Sequence, residues 1–152
     1  MRVLRFLMLV ICLYPVWAAA QLGLVGPEQL VRQVARAPAL LPALPLKEAR
    51  RTLDTARRQF QRGLPTGAQL YVVARGLNEA ATPELLVVRV LSWRSPQLSG
   101  HIISTTPGTP APIELPEGQV LDWLVLHPDG REEGNYLGKY WDLEERLTEE
   151  ED

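Results

Sequence analysis

Thiol chemistry is the first thing this chain lacks. Its single cysteine, Cys12, falls inside the apolar opening stretch. Once that stretch is removed, neither an internal disulfide nor a thiol nucleophile is left. Histidine is nearly as scarce. His101 and His127 are the only two, and no H-E-x-x-H or paired-histidine spacing supplies metal ligands. No G-x-S-x-G turn presents a serine nucleophile, and no glycine-rich loop joins a strand to a helix to cradle a phosphate. The sequence therefore gives no ground to expect a metal site or a cofactor.

What is present begins with Arg2 and Arg5, followed by an uncharged run from Phe6 to Ala20 that ends on Ala18, Ala19 and Ala20. This is the order of a secretory signal, with a charged start, an apolar core and a small-residue cleavage site. The run falls short of the about 20 residues that span a bilayer core as a helix. Residues 1–20 are thus expected to be cleaved before Gln21, which places the mature protein in the periplasm or outside the cell. The 132 residues that follow suit one domain.

Basic excess is also missing. Without Arg2 and Arg5, 14 basic side chains face 18 acidic ones. Seven of those acids crowd into 142–152 beside Arg146 alone, so the acidity is expected to be a tail on a nearly neutral body. Neither part carries the basic footprint of nucleic-acid binding.

Residues 21–46 read as a proline-rich segment and linker, with Pro27, Pro38, Pro42 and Pro45 and a short helix possible over Glu28–Arg36. From Lys47 to Arg62, Ala49, Leu53, Ala56 and Phe60 recur at helical spacing, and Gly63 stops the helix. Its polar side carries Arg50, Arg51, Arg57, Arg58 and Arg62, a solvated face or one for an anionic partner. Strands are expected at 69–75, 84–93, 98–104 and 119–127, with a short fifth around 131–136. Ser95-Pro96-Gln97 and Pro128-Asp129-Gly130 supply turns. The four prolines of 106–116 argue against regular structure there. The expectation is one α+β domain over 47–141, a single amphipathic helix on four or five mainly antiparallel strands.

The order of these features resembles the bacterial family called domain of unknown function 2314. The resemblance runs from about Ala49 to Gly138. It rests on the Ala49–Leu53 helix with Phe60, the strands at Gly67–Arg75 and Glu84–Trp93, Gly100-His101-Ile102-Ile103, and above all Gly118-Gln119-Val120-Leu121-Asp122-Trp123-Leu124 before Gly130 and Gly134. Ser104-Thr105-Thr106-Pro107 stands where the family carries an asparagine before proline. The resemblance implies a small α+β module, exported in some members, with no established activity.

Strand alternation puts Asp122 on one face with Leu124 and Leu126, and His127 on the other with Trp123 and Val125. His127 abuts Pro128 at a turn and is expected to face solvent. Asp122, within an apolar strand, needs donors, either as a ligand-binding acid or as a structural acceptor of backbone N–H groups or of an arginine such as Arg89. Trp93, Trp123, Tyr136, Tyr140 and Trp141 could line a groove or fill the core. The reading these residues support is an extracytoplasmic binding or accessory module for a peptide, protein or envelope polymer. Its expected surface is Asp122, Trp123, Tyr136, Tyr140 and Trp141, the last three in a hairpin. The alternatives are a small hydrolase using Asp122 with His101, and a self-associating envelope protein.

Overall fold

The computed structural model describes residues 26–77, 80–104 and 108–150, so the expected signal at 1–20 lies outside the described residues. Helix α1 spans Pro27–Ala35 and α2 Ala43–Arg62. The strands are β1 (Gln69–Leu77), β2 (Pro83–Arg94), β3 (Gln97–Ile102), β4 (Ala111–Pro116), β5 (Val120–Leu126) and β6 (Glu132–Gly134), followed by α3 (Tyr136–Glu149). The α+β class stands. The sheet has six strands rather than four or five, and three helices are described rather than one.

Proline placement accounts for much of that difference. Pro27 opens α1, and Pro45 lies in the first turn of α2, where no intrahelical N–H is required. Helix α2 therefore starts four residues before Lys47. Proline-bearing 111–116 is not irregular but forms β4, an edge strand, the place in a sheet where missing N–H donors are tolerated. The 142–149 part of the acidic tail is the continuation of α3.

All ladders are antiparallel, in the order β4-β3-β2-β1-β5-β6. Strands β4 and β5 are joined only by the 3₁₀ turn Glu117–Gln119. That connection reaches at most about 14 Å, whereas four strand spacings laid flat come to about 19 Å. The sheet must curl. Its inner face packs Leu70, Val72, Val88, Trp93, Leu98, Trp123 and Val125 around Ala56, with Leu53 and Phe60 against them. Each fully buried aliphatic side chain there contributes about 1.5–3 kcal/mol.

The outer face carries Tyr71, Val73, Val87 and Leu124 under Leu30 and Val34 of α1 and Leu137 of α3. Helices thus lie on both faces. Glu117 ties α2 to the curled end, accepting from Arg57 Nη1 at 2.9 Å, Ser95 Oγ at 2.9 Å and Trp93 Nε1 at 3.2 Å. Several cations of the α2 outer surface pair within the chain: Arg51 with Glu48, Arg57 with Asp54 and Glu117, Arg58 with Asp54.

Gly134 ends β6 with φ +77°, and a Cβ there would stand 2.3 Å from the Trp123 carbonyl oxygen and 2.6 Å from its ring. Gly130, at φ +83°, has no atom within 4 Å of such a Cβ. Gly134→Ala is expected to cost on the order of 3 kcal/mol in urea unfolding, combining positive-φ strain with overpacking. Gly130→Ala is expected to cost about 1 kcal/mol, the backbone part alone. Equal losses would contradict the packing assigned to Gly134.

Candidate functional site

Asp122 sits near the start of β5 and is 1% exposed. One carboxylate oxygen accepts from the Trp123 backbone N–H at 2.8 Å, the other from the Leu137 N–H at 2.7 Å. Leu137 belongs to the first turn of α3, whose N-cap Asn135 is left-handed and makes no side-chain cap. A strand residue therefore supplies the acceptor that a helix N-terminus requires. Arg89 is not its partner. Burial pushes the Asp122 carboxyl up from 3.8 to about 6, opposed by the Leu137, Trp123 and Tyr136 backbone hydrogen bonds and by Lys139.

Trp123, 5% exposed, points to the inner face. Its indole N–H donates to Thr52 Oγ1 of α2 at 3.0 Å, and Tyr136 meets its ring edge to face at 6.1 Å. Tyr136, Tyr140 and Trp141 are not a hairpin but the first turns of α3. The reason is local: Asp122 captures the helix start, and Gly138, suggestive of a turn, is the close-packing point where a Cβ would lie 2.3 Å from Asn135 Oδ1. Asp122 and Trp123 are thus core residues on opposite faces. Tyr140 is half-buried with its hydroxyl raised by a hydrogen bond to Glu144.

The histidines also depart from expectation. His127 is 6% exposed rather than solvent-facing. Its Nε2 lies 2.5 Å from Glu133 Oε1, a contact that holds the Glu133 carboxyl below its ordinary range. His101 shares the outer face with Asp122, yet β1 and β2 lie between their strands. Three strand spacings amount to roughly 14 Å, and the start of α3 covers Asp122, so no hydrogen-bonded pair forms. Among the described residues no cluster of three or more His, Cys, Asp or Glu could hold a metal ion.

Of the five expected site residues, only Trp141 lines a sizeable cavity. This is a 510 Å³ cleft between α1 and α3. Gln29 and Gln33 of α1 close its base on Asp142 Oδ1, at 3.0 and 2.6 Å. Arg32 and Arg36 form one wall and Glu144 and Glu145 the other. The Trp141 indole N–H is buried without a hydrogen-bond partner among the described residues. The α1 wall escaped the sequence reading: a short helix was expected over Glu28–Arg36, but nothing in the sequence linked it to α3.

A carboxyl whose folded pKa is raised binds more protons folded than unfolded, so its contribution to stability declines as pH rises between the unfolded and folded values. Relative to Asp122→Asn, the wild type should lose about 2 kcal/mol of unfolding free energy from pH 4 to pH 6. Above about pH 7 the difference should level off. Urea unfolding across that range measures it, and a flat difference would contradict the buried capping role.

Comparison with protein-family models, with curated proteins and with solved structures finds no match. The site is therefore argued from its geometry.

Proposed function

We propose that this chain is an exported binding module that takes an extended peptide segment into the cleft between α1 and α3. The observation that carries the reading is Trp141, a half-buried aromatic wall of the 510 Å³ cleft set between charges of both signs. An indole face suits the planar and apolar groups of a peptide. Walls of opposite charge, Arg32 and Arg36 against Glu144 and Glu145, suit side chains of both signs better than a uniformly charged envelope polymer. The Arg2 to Ala20 segment supports export.

The test uses residues 21–152, which contain every described element, against a displayed library of random peptides. Thr148 is exposed on the cleft wall, so Thr148→Tyr fills the cleft without touching the core. Enriched peptides should shift the Trp141 indole resonance of the wild type and lose at least about tenfold in affinity for the folded variant. Peptides that bind both proteins equally, or a library without enrichment, would contradict the assignment.

A further inference from the structure

We propose that Arg89 and His101 form a second site, one that binds a carboxylate group, on the part of the outer sheet face beyond the helices. The two residues are direct cross-strand partners in the β2–β3 ladder, which puts their Cβ atoms about 4.5–5.5 Å apart on one face. Tyr71 flanks Arg89 on β1, and Pro112 flanks His101 on β4. Helices α1 and α3 cover the neighbouring Tyr71, Val73, Val87 and Leu124. Arg89 and His101 are half-buried at the edge of that cover.

Both lack partners where they are buried. Arg89 Nε and His101 Nδ1 are sealed from solvent without a hydrogen bond among the described residues, and no ion pair there involves Arg89. Tyr71, beside Arg89, donates its hydroxyl to Gln69 Oε1 at 2.6 Å, and no hydrogen bond joins it to either atom. A buried polar atom left unpaired is costly. The remainder of each side chain is half-exposed, so an incoming anion meets the guanidinium at its outer edge rather than at the sealed Nε.

The ligand chemistry follows from the neighbours. A guanidinium edge presents parallel N–H groups matched to the two oxygens of a carboxylate, and His101 adds a ring nitrogen from the adjacent strand. The 270 Å³ depression lies on the His101 side of the pair, walled by Leu91 and Pro112 with Glu114 at its rim, and Arg89 stands outside its lining. Apolar walls accept the carbon next to a carboxylate. The Glu114 charge repels a second negative charge, which disfavours phosphate.

The experiment titrates residues 21–152 with N-acetylglycine, and separately with inorganic phosphate at matched ionic strength, following the Arg89 Nε–H and His101 ring signals. Saturable shifts are expected with N-acetylglycine. Arg89→Lys, which keeps the charge and loses the fork, should weaken them at the His101 ring at least about tenfold. His101→Gln, read at Arg89, serves if the lysine variant fails to give the folded amide spectrum. No saturable shift, undiminished binding in the folded variants, or equal saturation by phosphate would overturn the proposal. Thr148→Tyr should leave the Arg89 response intact, so this site and the α1–α3 cleft stand or fall separately.

Discussion

The outer layer of the molecule depends on one buried carboxylate. Asp122 accepts an N–H from its own strand and another from the first turn of α3, anchoring the helix start above β5. Without an acceptor inside the sheet, a helix whose N-cap is a left-handed asparagine lacking a side-chain cap would begin with unsatisfied donors in a buried place. From that anchor follow the seating of Leu137 on Val73 and Leu124, the approach of Asp142 to Gln29 and Gln33, and the cleft above them. The carboxylate is desolvated for this purpose, and its raised pKa is the trace of that cost.

Much of the sheet was legible because its strands are apolar on both faces or alternate cleanly. Glu84–Trp93 anticipates β2 within a residue at each end, and the Ser95-Pro96-Gln97 turn fixes the β2–β3 hairpin. The stripe of Ala49, Leu53, Ala56 and Phe60 identifies the helix the sheet curls around. The face assignment of Asp122 and Trp123 also follows from alternation alone, as the two core clusters show.

What was not legible has a common cause: tertiary contacts satisfied groups that looked unsuited to regular structure. Prolines exclude a central strand, yet β4 is an edge strand. Gly138 reads as flexible, yet it makes room for the Asn135 side chain, whose Oδ1 a Cβ there would meet at 2.3 Å. His127 beside a proline turn reads as exposed, yet Glu133 lies against it from β6. The clustering of Tyr136, Tyr140 and Trp141 with Asp122 and Trp123 carries into space only in part: Tyr136 packs on Trp123, whereas Trp141 joins the outer cluster. The cleft needed α1, a segment separated from α3 by about a hundred residues.

The short link from β4 to β5 also orders the assembly of the chain in time. Strands β1 to β4 form a meander of neighbouring ladders, whose contacts are local and close rapidly. Strand β5 must then reach back and insert beside β1, pairing Tyr71 with Leu124 across some fifty residues, a loop whose entropy is lost before the ladder repays it. Helix α3 in turn takes its N-terminal acceptor from β5. The longest-range contacts of the fold thus gather on its last third, and the α1–α3 cleft is closed by bonds that span more than a hundred residues.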